Sequence, residues 1–160
     1  MQKMPYRNKI LRSKISVSEI RPDKKYLDSL WRKVALAKYG ERCEMCGKAD
    51  YLNIHHFFSR SRNSVRWDID NAIVLCSGHH SLNNDSAHKD PCFKDRLLER
   101  GIRDKVWLDK LTLRAWTPAK LDLNLVKLDL ENELKKFGPP TQTHPNRNLV
   151  GQNRLNKRIF

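Results

Sequence analysis

Apolar residues recur along this chain with two different periods. From Asp23 onward, Leu27, Leu30, Trp31, Val34 and Ala35 fall at i, i+3, i+4, i+7 and i+8, one stripe of an amphipathic helix. Asp23 supplies an N-cap, Arg21-Pro22 before it disfavours helix, and Gly40 closes the stripe. Two short apolar runs follow, Tyr51-Leu52-Asn53-Ile54 and Ala72-Ile73-Val74-Leu75, separated by a polar loop containing Ser59 to Asn63; this predicts two short strands joined by a long loop. After His79 the pattern is helical, breaks near Asp90-Pro91 and resumes through Phe93, Leu97 and Leu98 up to Gly101. Further helices are expected over 102–113 and 121–137, with Thr117-Pro118 as the break. The six leucines of 121–137 suit a core helix or a dimer helix equally, so a homodimer stays open. Gly138-Pro139-Pro140 ends regular structure, and the Asn/Arg-rich tail lacks the apolar content to fold alone.

With 160 residues and 39% hydrophobic content, the chain can build one modest core that a metal staple would help. No run of about 18 apolar residues is present to span a bilayer, and Met1 to Arg7 lacks the apolar segment of a secretory signal. A soluble, cytoplasmic protein with no membrane partner is expected.

The net charge of +14 alters this picture mainly through its location. Residues 1–33 hold ten Lys/Arg against three acids and residues 138–160 hold four against none, leaving an excess of only three between them. Basic arms of this kind neutralise phosphates and give nucleic acids affinity without sequence information. A solvated, disordered tail is the plainer alternative.

All four cysteines and five of the six histidines lie between Cys43 and Cys92. Cys43-x-x-Cys46 fits a tight turn presenting two thiolates to one ion, and also fits a redox dithiol. Cys76-x-x-His79 repeats the spacing 30 residues later, and the combined set of three cysteines and one histidine suits structural zinc. Cys92 is the spare thiol and an alternative fourth ligand. Between the half-sites stands His55-His56; on a strand, neighbouring side chains point to opposite sides, so one ring can bind a metal while the other serves a different atom. Hydrolysis of a phosphodiester needs a base for water and a cation for developing charge, and imidazole supplies the base near neutral pH.

These residues resemble the HNH nuclease family, whose ββα-metal motif carries His-His or Asp-His at the end of the first strand, an Asn in the connecting loop and a further His on the helix. The resemblance implies that His55 is a metal ligand and His56 the general base. It also implies that Asn71 orients the base through its ring nitrogen and holds the loop, and that His80 is the second metal ligand. A bacteriophage, recombination-associated subgroup is the nearer likeness, through Val65-Arg66-Trp67-Asp68, Asp70-Asn71, Leu75-Cys76-x-x-His79-His80, His88-x-x-Pro91-x-Phe93 and the Leu30-Trp31 helix. It covers roughly residues 24 to 115. Where most such proteins have a cysteine, this chain has His79, so either ring of the 79–80 doublet could serve either metal; the repeated spacing favours His79 for zinc.

The implied fold is α+β and mainly helical: a small zinc-stapled ββα module flanked by helices and basic arms. Its organisation would be a basic arm over 1–22, a nuclease domain over 23–115, a helix over 116–137 and a basic tail over 138–160. The implied activity is a DNA endonuclease using Mg2+ or another divalent cation, leaving a 5′-phosphate and a 3′-hydroxyl. A zinc-dependent nucleic-acid-binding module without turnover is the alternative. His88 reads either as a further ligand of the catalytic metal or as a surface histidine, with Asn84 a weaker ligand candidate. Arg60, Arg62 and Arg66 are candidates for DNA phosphate, although Arg66 could instead pair with Asp68 or Asp70. Trp67 reads as a core anchor rather than a stacking platform.

Overall fold

The computed structural model describes residues 22–138; most of both basic arms lies outside the described residues. Within them the chain is a mainly helical α+β fold around one two-stranded sheet. Helix α1 is Lys24–Tyr39, started by the Asp23 carboxylate, which accepts from the Tyr26 amide at 2.6 Å. It stops at Gly40, whose φ of 85° lies where side-chain-bearing residues are disfavoured. Its buried residues are the five of the predicted stripe.

Strand β1 (Leu52–His56) pairs antiparallel with β2 (Ala72–Cys76), so that Leu52 faces Cys76, His55 faces Ile73 and His56 faces Ala72. A hairpin this small is marginal alone, and packing on both faces stabilises it. β2 is buried throughout, which accounts for its unbroken apolar run. Ala72 joins a cluster with α1 and Leu130, whereas Ile73, Val74 and Leu75 join a second with Phe57, Phe93, Leu97 and Leu111. No helix among the described residues is long and apolar enough to cross a membrane.

The loop between the strands holds two short 3-10 turns, Asn63–Val65 and Ile69–Asn71. It is anchored from both sides. Trp31 Nε1 donates to the Asp68 carbonyl and Lys38 pairs with Asp70 at 2.9 Å, both from α1. From α3 (Lys105–Trp116), Arg114 pairs with Asp68 at 2.6 Å and Asp70 at 2.9 Å.

The segment after β2 departs from expectation. In place of a helix starting near His79, one π-helical turn, Gly78–Leu82, closes through the Asn83 amide on the Gly78 carbonyl at 3.0 Å, and turns follow. Asn83-Asn84-Asp85-Ser86 explains the stop, because such side chains compete with helical backbone bonds. Helix α2 is Phe93–Glu99. α3 starts later than predicted because Asp104 caps it, and α4, Leu123–Phe137, is capped by Asp122. α4 packs on α1 through Leu130, with Leu123, Val126 and Leu134 alongside, so it is a core helix here. Leu125 and Leu128 remain exposed on its outer side.

Candidate metal centres and the histidine pair

The sequence from Cys43 to Lys48 folds back on itself: the Gly47 amide donates to the Cys43 carbonyl and the Cys43 amide to that of Lys48, both at 2.7 Å. Gly47, at φ 74°, permits the reversal. The turn is docked on β2, since the Glu44 amide donates to the Val74 carbonyl at 2.9 Å and the Glu44 carboxylate accepts from the Val74 amide at 2.7 Å. Arg103 pairs with that carboxylate at 2.5 Å and also donates to the Ala72 carbonyl.

Docking brings Cys43, Cys46, Cys76 and His79 together, with all four donor atoms within 4.8 Å of one another. Cys46 Sγ lies 3.8 Å from Cys76 Sγ, and His79 Nδ1 lies 3.4 Å from Cys76 Sγ and 3.6 Å from Cys43 Sγ. Zinc–sulfur and zinc–nitrogen bonds of about 2.3 and 2.0–2.1 Å give tetrahedral edges of about 3.8 Å between sulfurs and about 3.6 Å between sulfur and nitrogen. The cluster is positioned to bind a metal such as zinc. Burial pushes the Cys43 thiol up to about 11, a cost that a bound cation would remove. At Cys76 burial acts the same way, but hydrogen bonds from the His79 amide, then from the Cys43 and Cys46 thiols and the Gly78 amide, outweigh it and hold the thiol below its usual range. The outer nitrogen of His79, Nε2, faces an Asp85 carboxylate oxygen at 3.7 Å, longer than a direct hydrogen bond. Cys92 stands apart, exposed at the start of α2, and does not join the set.

His80 turns the other way. With His55 and His88 it forms a second group whose donor atoms lie within 4.8 Å of one another, the His80 and His88 Nε2 atoms 3.3 Å apart. Phe93 closes one side, edge-on to His55. Burial, then the charges of His88 and His80, push His55 down to about 3, so its ring is a neutral donor at neutral pH. The fold therefore divides the 79–80 doublet between two groups and gathers His88 into the second. Asn84 is exposed and contributes no donor to either.

His56 points to the opposite side of β1. Its ring stacks on Trp31 with centroids 4.1 Å apart and interplanar angle 16°, and its Nε2 lies 3.0 Å from the Arg66 carbonyl. A carbonyl only accepts, so Nε2 carries the hydrogen and Nδ1 keeps its lone pair. Burial lowers the His56 pKa against the opposing pull of that carbonyl and of the Asp28 charge.

Asn71, for which the resemblance implied both orienting the base and holding the loop, is fully buried. Its amide donates to the Phe58 and Val65 carbonyls and accepts from the Phe58 amide at 2.7 Å, which ties the ends of the loop together. Among its hydrogen bonds none reaches His56; the contact that holds that ring comes from the Arg66 carbonyl instead. Arg66 itself pairs with neither Asp68 nor Asp70: its guanidinium forks onto Asp28 of α1 at 2.8 and 3.2 Å, so the fold already occupies a group expected on DNA. Trp67 is buried and donates to the same carboxylate at 2.7 Å. Arg60 is exposed, and Arg62 lies over the Trp116 ring at 3.8 Å.

No protein-family profile, curated protein or solved structure matches the chain. Sequence reasoning missed Asp28, Glu44, Asp85, Lys94 and Arg103. Asp28 and Arg103 lie 38 and 59 residues from their partners Arg66 and Glu44, and only tertiary packing reveals such pairs. Asp85 had a local clue, a carboxylate six positions after His79 in a turn-forming run.

Proposed function

We propose that this chain is a metal-dependent DNA endonuclease of the HNH type. The observation that carries the reading is the division of labour at the end of β1: His55 joins a three-histidine donor group while His56, next in sequence, presents an unprotonated Nδ1. A pure binding module needs neither a free base nor a donor group that leaves coordination positions open.

In this reading the His56 Nδ1 accepts a proton from the attacking water. The resulting imidazolium is stabilised by the Arg66 carbonyl and the Asp28 carboxylate. Trp31 and the Asn71-tied loop hold the ring and that carbonyl in place. A divalent ion held by His55, His80 and His88 would stabilise charge on the scissile phosphate and the leaving oxygen. Three imidazoles suit a transition ion such as Mn2+, Ni2+ or Zn2+ better than Mg2+, which prefers oxygen ligands. The thiol-rich cluster would hold zinc and fix the turn that presents His80.

The test is nicking of supercoiled plasmid by zinc-loaded protein supplied with Mg2+, Mn2+ or Ni2+, beside the His56→Ala variant. Nicking should favour the transition ions and fall at least about 10²-fold in the variant, the usual range for a lost general base. Unchanged cleavage by His56→Ala sinks the assignment, and DNA binding without nicking under any ion makes the chain a binding module.

A further inference from the structure

Several of the described cations are tied to carboxylates: Lys38, Arg66, Arg96, Arg103, Arg114, Lys105, Lys127 and Lys136 all form ion pairs. Among the described residues, Arg62 and Lys94 form no such pair. Each is laid on aromatic rings: Arg62 over Trp116 at 3.8 Å, and Lys94 over Phe57 at 4.5 Å and Phe58 at 5.1 Å. Cation–π seating fixes where a cation sits without neutralising it, so its hydrogen-bond donors remain available.

Their location is as informative as their lack of acidic partners. The charge of Arg62 is felt at Lys94, and that of Lys94 at His55. Lys94 follows Phe93, whose ring meets His55, and Phe57 follows His56. From Tyr51 to Trp67 the sequence holds three arginines and two histidines but no Asp or Glu. Two like charges, Arg62 on this acid-free loop and Lys94 in the first turn of α2, therefore lie on the side of the donor cluster. Their repulsion is relieved by an anion, and seating on a ring limits the entropy lost when one binds.

We propose that Arg62 and Lys94 form a seat for the phosphodiester backbone of a nucleic acid, flanking the His55–His80–His88 group. The seat takes from the preceding reading only that the partner is a nucleic acid, and it needs no turnover. Trp116 and the Phe57–Phe58 pair serve as its supports, placing the two cations rather than touching bases.

The experiment is fluorescence anisotropy of a short labelled duplex with the zinc-loaded full chain across a salt series. It compares wild type, Arg62→Gln, Lys94→Gln, Lys94→Arg and, as a control, Lys136→Gln, which removes a cation already paired with Glu133. Each neutralised phosphate contributes about 0.9 to the slope of log K against log salt. Arg62→Gln and Lys94→Gln should each lower the slope magnitude by about that amount, while Lys94→Arg and Lys136→Gln retain it. Thermal melts of all variants show whether a lost slope reflects a lost fold, and Lys94→Arg supplies the cation in an intact side-chain environment. Wild-type slopes in both Gln variants overturn the seat, even where the wild type nicks plasmid and the nuclease reading stands. Reduced slopes in a protein that never nicks uphold the seat and remove the nuclease. A wild type that does not bind the duplex overturns it too.

Discussion

Asp28 carries more of this fold than its half-buried place on the first turns of α1 suggests. One carboxylate accepts from the Arg66 guanidinium and from the Trp67 indole, and the backbone of Arg66 holds the His56 ring. Asp28→Asn removes the charge from these bonds. Urea unfolding should show a loss of about 1–2 kcal/mol, within the range for hydrogen bonds to charged groups at a partly exposed site. On the proposed nuclease reading the variant should lose turnover on DNA rather than affinity, because Asp28 would act through the carbonyl that holds the His56 ring. An undiminished rate would separate Asp28 from the histidine. Acid dependence follows from the same contacts. Burial raises the Asp28 pKa, but Arg66 and Trp67 outweigh it and hold the carboxyl below its ordinary range; Lys38 and Arg114 do the same at Asp70. Both groups are more acidic folded than unfolded, so their stabilisation is present above about pH 4 and drains away as pH falls through their folded values. Asp68, raised by burial, works in the opposite direction. Melting temperature should thus fall from about pH 5 to about pH 3, less steeply in Asp28→Asn than in wild type.

Among the elements, those that carry their own caps and stripes were legible. Asp23, the five buried residues of α1 and Gly40 are local signals, and each acts in the folded helix as its position predicts. Both strands were legible from their apolar runs, although β1 extends through His55 and His56, which the runs alone placed beyond its end. The segment after Cys76 was not: its apolar residues are too sparse to overrule an Asn-Asn-Asp-Ser run, and a π turn results. The Cys/His spacing, in contrast, is a local property and anticipated the thiol-rich cluster. That cluster belongs to the core containing Cys43 and Cys76, whereas α1 and α4 close on a separate set around Leu27, Trp31 and Leu130. Chelation of a metal held there should consequently open the molecule unevenly. Hydrogen exchange at 43–48 and 76–80 is expected to accelerate first, with α1 and α4 still protected. Simultaneous loss of protection would mean that the two cores unfold as one.

On the scale of the whole molecule, the candidate chemistry gathers where one strand, one loop and two turns meet. Its long-range supports come from α1, from α3 and the residues just ahead of it, and from the turn at 43–48, which is why they escaped a reading of the sequence. The candidate ligands were visible because donors announce themselves by residue type; the residues that aim them, Asp28, Glu44 and Arg103, are ordinary charges until the chain closes. The π turn has one further consequence. Cys76 and His79 belong to one donor group and His80 to the other, so five consecutive residues are shared between two prospective ions. Filling either group restricts the same short backbone and spares its neighbour that ordering cost. By linkage the benefit is mutual, each ion raising the other's affinity by the same factor. The protein would then fill with metal steeply, as a pair of sites with one threshold, and empty the same way.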